Sequence, residues 1–193
     1  MGRNRSYDEG TVLSGAMDAF RRKGYRGVSI RDLEAATGLK AGSVYNSFGD
    51  KAGLFDAAFA HYNEVVLGGR IREHAPVEAG LGGLRALFLS LMHEPNDETF
   101  GCLITNAAVE LGDTSHPCVT DGLSVLMQTF ATRLSDASAS GSLRPGLEPE
   151  TAAVKLLALY QGLLVLIRAG HDRPSLERLV NDEFNDLEVQ HDA

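Results

Sequence analysis

The sequence is poor in several features that would point to particular classes of protein. Its 193 residues include only two cysteines, Cys102 and Cys118, which predict no disulfide framework and have no metal-ligand spacing. No apolar run approaches the roughly 20 residues that span a bilayer, and no secretory signal opens the chain. We therefore expect a cytoplasmic protein with no membrane contact, metal or cofactor.

An overall positive charge, the usual sign of a nucleic-acid-binding protein, is also missing. The net charge is −8, but it is unevenly distributed. Residues 1–51 carry nine Lys/Arg and six Asp/Glu, a net charge of +3, which leaves −11 for the remainder. A cationic segment on an acidic body can bind phosphate while the body is repelled, which would orient the molecule on DNA. The asymmetry alone is a weak indicator of DNA binding.

Strand patterns and internal repeats are absent, whereas apolar residues recur at helical spacing along nearly the whole chain. We predict an all-α fold of about nine helices, with glycines and prolines at their ends. They are expected at 11–23, 30–37, 41–48, 51–74, 78–93, 102–111, 117–140, 149–169 and 175–187. Gly68 and Gly69 should bend or weaken the long helix 51–74.

The short helices 30–37 and 41–48 have the length and spacing of a helix-turn-helix. Gly38 suits the positive φ that the turn requires, and Ser29 with Asp32 forms a capping pair. The core between the helices is expected from Leu33, Leu39, Val44 and Phe48. This leaves an outward surface where bases would be read, made of Lys40, Ala41, Gly42, Ser43, Asn46 and Ser47. Similar hairpins occur in bundles that do not bind DNA, so the pattern alone leaves both readings open.

The stretch 19–55, AFRRKGYRGVSIRDLEAATGLKAGSVYNSFGDKAGLF, resembles the TetR family of bacterial regulators. The matching features are the Gly24-Tyr25 turn, the capped start at Ser29, and then Gly38, Tyr45, Phe48 and Lys51. The resemblance implies a helix-turn-helix DNA-binding domain at 7–51, linked through helix 51–74 to a helical ligand-sensing and dimerisation domain at 52–190. It also implies a transcriptional regulator, by family default a repressor that a small molecule releases from a palindromic operator.

The resemblance further implies a role for each matching residue. Ser29, Arg31, Tyr45 and Lys51 would contact phosphates of double-stranded operator DNA, while Ser43, Asn46 and Ser47 would face base edges. Lys40 opposes the helix dipole, so it either faces a phosphate or guanine or is simply solvated. Small Ala41 and Gly42 imply a close backbone approach or contact with a thymine methyl. Glu34 must reach solvent or pair, for example with an arginine.

The resemblance implies a homodimer, and helix 149–169 supports one independently because it is apolar nearly all round. The predicted interface combines this helix with helix 117–140. It consists of Leu123, Met127, Phe130, Leu156, Leu159, Leu163 and Ile167. The alternative is a helix fully buried in the core of a monomer.

The signal that the protein would sense is harder to predict. Candidate ligand-binding residues are Tyr62, Phe88, Met92, Phe100, Cys102, Asn106, Met127 and Tyr160, although aromatic and methionine side chains at helical spacing also form ordinary cores. Cys102 begins a helix, whose free N–H groups stabilise a thiolate, so an electrophile or oxidant sensor is an alternative. A buried, unreactive cysteine is the other interpretation.

An enzyme is the alternative from a different functional class. Cys102, or His116 with Asp113, would then carry the chemistry. The sequence shows no set of base, nucleophile and orienting group, no phosphate-binding loop and no cofactor fingerprint. We therefore expect a regulator and not an enzyme.

Overall fold

The computed structural model describes residues 7–93, 100–112 and 116–189, and in these ranges the regular structure is helical. The helices are α1 (Glu9–Gly27), α2 (Ile30–Thr37), α3 (Ala41–Phe48), α4 (Lys51–His61), α5 (Gly68–His74), α6 (Gly80–Leu89), α7 (Leu103–Leu111), α8 (Pro117–Ala139), α9 (Pro149–Arg168) and α10 (Arg173–Leu187). A π-helical turn, Tyr62–Leu67, carries α4 into α5 without a gap. Counted as one helix, α4 and α5 bring the described chain to nine helices, which confirms the prediction.

Short turns extend or interrupt the helices near the predicted places. The π-helical turn ends directly before Gly68 and Gly69, the residues expected to weaken this helix. Single 3₁₀ turns, Val77–Ala79 and Ser90–Met92, flank α6 and complete the helix predicted at 78–93. Asp113, named above for the enzyme alternative, lies outside the described residues.

Side-chain caps explain where several helices begin. Asp8 accepts a hydrogen bond from the Thr11 amide (2.9 Å), and Asp50 accepts one from the Gly53 amide (2.8 Å). These carboxylates satisfy amides that have no partner inside the helix and complement the positive end of its dipole. The first turns of α1 and α4 are therefore fixed by local sequence.

The chain divides into two compact units: Met1–Leu67 with Cys102–Thr120, and Gly68–Gly101 with Asp121–Ala193. These units do not coincide with the domains predicted at 7–51 and 52–190. The difference arises because α1 packs against both α4 and α7, which places these helices in the first unit.

An aromatic cluster forms the centre of the first unit. The Phe20 ring meets Phe55 edge to face at 4.9 Å between centroids, and the Tyr25 ring lies 4.9 Å from Phe55 and 6.3 Å from Phe20. Phe55 also meets Phe59 edge to face at 5.5 Å. Edge-to-face and tilted ring pairs favour a fixed geometry beyond simple burial. This cluster holds α1 against α4, the helix that follows α3.

The second unit has its own aromatic cluster, which joins four helices. Phe88 of α6 lies 5.5 Å from Phe130 of α8, 5.1 Å from Tyr160 of α9 and 5.3 Å from Phe184 of α10. All four rings are buried. Phe88 is therefore the residue through which these helices share one core.

Burial divides the residues that were predicted for the dimer interface. Phe130, Leu156, Leu163 and Ile167 are buried within one protomer. The three α9 residues recur at helical spacing and mark the face of α9 that points into the core. The opposite face exposes Val154 and Val165 instead. Leu123, Met127 and Leu159 are half-buried.

Helix α9 also passes a test of length and composition for a membrane span, with a mean hydropathy of 1.5 over its most apolar window. Seven of its residues are buried in the second unit. The core helix of a globular protein passes the same test. Burial in the core therefore accounts for the inward face of α9, whereas Val154 and Val165 remain exposed.

Candidate nucleic-acid interface

Helix α2 begins with the predicted capping box. The Asp32 amide donates to Ser29 Oγ (3.2 Å), and the Ser29 amide donates to Asp32 Oδ2 (2.9 Å). The Lys23 ammonium lies 2.6 Å from Asp32 Oδ1, and this hydrogen bond is the main reason why the pKa of Asp32 lies well below its usual value. The ionised carboxylate favours the folded state above the ordinary carboxyl pKa and loses this effect only on strong acidification. The capping box is therefore intact at neutral pH.

The turn between α2 and α3 has the predicted backbone. Gly38 has a φ of 69° and a ψ of 2°, the left-handed conformation that glycine adopts without strain. Leu33 and Val44 are fully buried, while Leu39 and Phe48 are half-buried. These four residues form the small core between the two helices, as expected.

Glu34 makes a contact that the sequence did not reveal. Its Oε1 accepts a hydrogen bond from the Ala41 amide at 2.8 Å, a backbone partner in place of the expected solvent or arginine. The N-cap residue of α3, Lys40, makes no side-chain cap of its own. A carboxylate from α2 thus supplies the acceptor that α3 lacks, and its negative charge interacts favourably with the positive end of the α3 dipole. A helix start without a capping side chain was the available signal.

The outward surface of α3 carries small and polar residues. Gly42, Ser43, Tyr45 and Asn46 are exposed, with Tyr45 47% accessible. Lys40 is exposed and Ala41 half-buried at the start of the helix. A surface of this composition can approach closely and offers hydroxyl and amide groups to a hydrogen-bonding partner.

Ser47 differs from the other predicted base-reading residues. Its hydroxyl oxygen accepts a hydrogen bond from the Tyr7 hydroxyl at 2.7 Å, and the residue is half-buried. Part of its hydrogen-bonding capacity is therefore used within the protein. Asn46, one residue earlier on the exposed face, has more freedom to meet a partner.

Lys51 is the first residue of α4, and its side chain reaches the backbone just before α2, next to the predicted phosphate contact Ser29. Its ammonium donates to the Val28 carbonyl at 2.6 Å and lies 4.9 Å from the centre of the Tyr25 ring. Val28 directly precedes Ser29, so one cation of α4 lies beside the residues that open α2, where Arg31 is exposed. An ammonium has three donors, and one of them is used here.

Two glycines that sequence reasoning passed over permit close backbone approaches around the hairpin. A Cβ added at Gly15 of α1 would lie 2.1 Å from the Ala36 carbonyl oxygen of α2. One added at Gly53 of α4 would lie 2.0 Å from the Phe48 carbonyl oxygen at the end of α3. Any larger side chain at either position would push the helices apart. These glycines therefore set how α1 and α4 meet the helix-turn-helix.

Glu110 of α7 is a second residue that the sequence did not reveal. Its two carboxylate oxygens accept hydrogen bonds from the Tyr25 amide (2.8 Å) and the Arg26 amide (2.7 Å). These amides follow Gly24, where a φ of 74° breaks α1. Glu110 thus holds the last turn of α1, just before the chain enters α2.

The predicted ligand-binding residues are distributed over the two units. In the first unit, Tyr62 donates its hydroxyl to Cys102 Sγ at 3.1 Å, and Asn106 donates to the Arg21 carbonyl at 3.4 Å. Cys102 is buried and forms the N-cap of α7. In the second unit, Phe88 and Tyr160 belong to the ring cluster. The others in that unit are buried Met92 and half-buried Phe100 and Met127.

Two family models match the chain. The model described as bacterial regulatory proteins of the tetR family covers residues 12–58, and the one described as a tetracyclin repressor-like C-terminal domain covers residues 80–182. The first includes α2 and α3, and the second spans more than half of the chain.

Individual relatives agree with these matches. The chain is 29% identical to the transcriptional repressor ComR of Escherichia coli K12, over 93% of this chain and 87% of that protein. It is also 29% identical to the uncharacterised regulator YezE of Bacillus subtilis 168, over 57% of this chain and 58% of that one. A solved structure of cysteine-substituted CifR, complexed with 26-base-pair operator DNA, covers 95% of this chain at a TM-score of 0.82 and 26% identity.

Members of this family are regulators of transcription and not enzymes, which decides against the small helical enzyme considered above. The helix-turn-helix at 30–48 lies inside the matched N-terminal range, and the helices around Phe88 lie inside the C-terminal range. The chain is thus a DNA-binding transcriptional regulator that belongs to the TetR family.

Proposed function

We propose that the protein is a repressor that binds a palindromic operator as a homodimer through α3 and leaves it when a small molecule binds. The observation that carries the DNA-binding part is the exposed surface of Gly42, Ser43, Tyr45 and Asn46 beside the cationic start of α2. The name of ComR and the operator complex of CifR support the same function. We infer a cytoplasmic location from the proposed binding to chromosomal DNA.

The proposed phosphate contacts are Ser29, Arg31, Tyr45 and Lys51. The capping box already uses the Ser29 hydroxyl proton, which is donated to Asp32 at 2.8 Å. A phosphate would therefore meet either this hydroxyl after it has turned away from Asp32 or the backbone amides in the first turn of α2. Lys51 keeps two donors beyond the one that it gives to Val28. Contacts of this kind fix the register of the protein on the duplex without reading sequence.

The proposed base-reading residues are Lys40, Ala41, Gly42, Ser43, Asn46 and Ser47. Among these, Asn46 can make two hydrogen bonds to adenine, and Lys40 can donate to guanine. Ala41 and Gly42 let the backbone come close to the groove. Since Ser47 is engaged with Tyr7, we expect it to contribute less than Asn46.

Fluorescence anisotropy with DNA from upstream of the gene tests the DNA-binding proposal. We expect tight binding that weakens steeply as salt rises, because phosphate contacts release counterions. Arg31→Ala should weaken binding and lower the slope of log affinity against log salt concentration by about one. Arg178→Ala, at an exposed position of α10, should leave both the affinity and the slope unchanged. Binding with no salt dependence would contradict the proposal.

The homodimer is proposed through the outer faces of α8 and α9. Val154 and Val165 of α9 are 56% and 50% exposed, and Val125 of α8 is 41% exposed. Exposed Ala158 lies between the two α9 valines at helical spacing. Apolar side chains along one side of a helix make a face that a second copy can cover by twofold symmetry. The two α3 helices of such a dimer would meet half-sites about 34–36 Å apart.

Sedimentation analysis of Val154→Glu tests the dimer. A carboxylate in the centre of the proposed interface should yield monomers and lower operator affinity, since one recognition helix would then bind alone. Val109→Glu is the matched control, because Val109 is also exposed but lies on α7. A Val154→Glu protein that sediments as the wild type does would contradict this interface.

Release by a small molecule is proposed from the family match and from the candidate pocket residues named above. A screen for loss of operator anisotropy against small molecules and electrophiles would identify the inducer. Electrophiles are a second candidate class, because Cys102 occupies the N-cap of α7 and its sulfur receives the Tyr62 hydroxyl. If they act there, Cys102→Ser should abolish release by electrophiles and leave operator affinity unchanged. Unchanged release from this variant would reject Cys102 as the sensor.

A further inference from the structure

Asp56, His116 and Cys118 bring three potential metal ligands together in the first unit. One ligand atom from each lies within 4.8 Å of the others. Asp56 belongs to α4, whereas His116 and Cys118 flank Pro117 at the start of α8. The three residues are separated in sequence by up to 62 positions and have no standard ligand spacing, so the sequence predicted no metal site.

The geometry within this group suits a tetrahedral cation. The distance from His116 Nε2 to Asp56 Oδ1 is 3.3 Å. Two ligands bound at about 2.0–2.1 Å in a tetrahedron lie about 3.3–3.4 Å apart, as follows from the usual Zn–N and Zn–O bond lengths. The Cys118 sulfur completes a set of nitrogen, oxygen and sulfur donors. Sulfur and imidazole ligands select zinc-like cations over magnesium or calcium.

Aromatic contacts hold the His116 ring in place. It stacks on Phe59 at 6.0 Å between centroids and meets Phe55 edge to face at 5.6 Å. Its Nδ1 atom is buried, and no group in the described residues forms a hydrogen bond with it. Nε2 faces the Asp56 carboxylate, and a cation bound there would take the place of the proton between these two groups.

Cys118 brings its sulfur next to α4. The residue is half-buried, and its sulfur lies 3.9 Å from the Asp56 carbonyl oxygen. Its backbone is fixed by Asn63, whose amide donates to the Cys118 carbonyl at 2.9 Å. The start of α8 is thus anchored, while the thiol remains within reach of solvent.

We propose that Asp56, His116 and Cys118 bind a divalent cation of the zinc class, with the cysteine as thiolate. Three protein ligands leave a fourth position open to water or to a signal molecule, in contrast to the four protein ligands of purely structural zinc sites. A metal-bound histidine usually donates its other N–H to a fixed acceptor, and losing such support lowers affinity 10–100-fold. Because His116 Nδ1 has none in the described chain, the site holds an exchangeable cation.

The cation would affect DNA binding through α4, and this part rests on the proposed function. Asp56 lies five residues after Lys51, the residue that contacts the start of α2. Gly53 of the same helix approaches the end of α3. A cation that links Asp56 to the start of α8 therefore restrains α4, the helix that packs against the end of α3. We expect operator affinity to change when the site is filled.

Titration of the reduced, metal-free full chain with Co²⁺ tests the site. We expect one equivalent to bind, with a thiolate-to-cobalt charge-transfer band in the near ultraviolet and visible bands typical of tetrahedral Co²⁺. Excess Zn²⁺ should remove these bands by displacing the cobalt. Cys102→Ser should bind like the wild type, whereas Cys118→Ser should lose the charge-transfer band. Absence of stoichiometric binding, or an unchanged band in Cys118→Ser, would overturn the proposal.

His116→Gln and Asp56→Asn distinguish ligands from bystanders. Each should weaken Co²⁺ binding at least tenfold while the far-ultraviolet circular dichroism stays that of the wild type. If either variant binds as tightly as the wild type, the three-residue site is wrong. Cys118→Ser tests the site independently of any folding defect in His116→Gln, because serine is close to cysteine in size and the position is only half-buried.

Operator anisotropy with and without Zn²⁺ separates the site from its effect. We expect affinity to shift at least fivefold with Zn²⁺ in the wild type and not in Cys118→Ser. Cobalt binding with no shift would reject the regulatory effect and retain the site. Cobalt binding by a protein that binds no operator under any condition would instead contradict the proposed function.

Discussion

The helix-turn-helix and the ring cluster of the second unit use aromatic and polar residues in opposite ways. On α3, Tyr45 and Asn46 stay exposed, and hydrogen bonds such as Glu34 to Ala41 fix the backbone that presents them. Around Phe88 the rings contact one another and none is exposed. In the first region the surface residues are those proposed to contact DNA, and the caps stabilise the helices that present them. In the second region the same side chains that resemble a ligand pocket hold the unit together.

The largest expected effect comes from Phe88→Ala. Removing the ring shared by α6, α8, α9 and α10 should lower the free energy of unfolding by about 3–5 kcal/mol. Tyr45→Ala, which truncates an exposed ring of the first region, should change it by no more than about 0.5 kcal/mol. Urea unfolding followed by circular dichroism measures both. Equal losses would remove the contrast between the two regions.

Gly15→Ala should be the next most damaging change. Its Cβ would lie 2.1 Å from the Ala36 carbonyl oxygen, so α1 and α2 must move apart, at a cost of about 1–3 kcal/mol. We also expect operator affinity to fall, since α2 holds the base of α3. Gly82→Ala is the matched control: its Cβ would meet nothing within 4 Å on α6, and alanine is the better helix former. Thermal unfolding in which Gly15→Ala matches this control would refute the close approach.

Glu110→Gln should have a moderate effect on the same region. Glutamine keeps one acceptor oxygen where the carboxylate used two, and a hydrogen bond to a charged group contributes about 1.5–3 kcal/mol. We expect a loss near the lower end of that range, because the site is partly exposed. Urea unfolding measures it against Glu78→Gln, an exposed position outside these contacts. No difference between the two variants would show that Glu110 does not hold the end of α1.

Glu34→Ala should produce a smaller loss of stability and a clear loss of DNA binding. Removing a helix cap costs about 0.5–2 kcal/mol, and the α3 turn that frays is the one carrying Gly42 and Ser43. Glu34→Gln can still accept from the Ala41 amide and should fall between this variant and the wild type. Anisotropy and thermal unfolding should rank the three proteins in that order; a reversed order would contradict the cap.

The smallest expected effect is a difference between the two cysteines in their rates of reaction with a thiol reagent. In the metal-free native protein, a thiol reagent such as DTNB should modify half-buried Cys118 first and buried Cys102 much more slowly. Mass spectrometry of digested samples taken over time identifies the order. Faster labelling of Cys102 would indicate that the first unit opens around Tyr62 and would favour an electrophile sensor.

Local features of the fold could be predicted from the sequence because their causes are local. The capping box of Ser29 and Asp32, the left-handed Gly38 and the bounds of α2, α3 and α9 each follow from a few neighbouring residues. The role of Glu34 could not be predicted in this way. Its partner, the Ala41 amide, lies across the turn, and its carboxylate replaces the capping side chain that Lys40 does not provide. The same holds for Glu110, which meets amides 84 and 85 residues away.

The dimer face shows a different limit. Periodicity correctly identified α9 as apolar on more than one side, but it could not say which side faces its own protomer. The structure turns Leu156, Leu163 and Ile167 inward and leaves Val154 and Val165 outside. The cluster of Asp56, His116 and Cys118 was invisible for a similar reason, since it exists only where α4 meets the start of α8.

The central claim, that the exposed face of α3 reads operator sequence, is tested most directly with Asn46→Ala. Affinity for the operator and for unrelated DNA should be measured side by side at one salt concentration. We expect the ratio of the two affinities to fall about 5–150-fold, since a bidentate contact discriminates by about 1–3 kcal/mol, while binding to unrelated DNA stays unchanged. Tyr45→Ala should weaken both equally. An Asn46→Ala protein with the wild-type ratio would contradict the account.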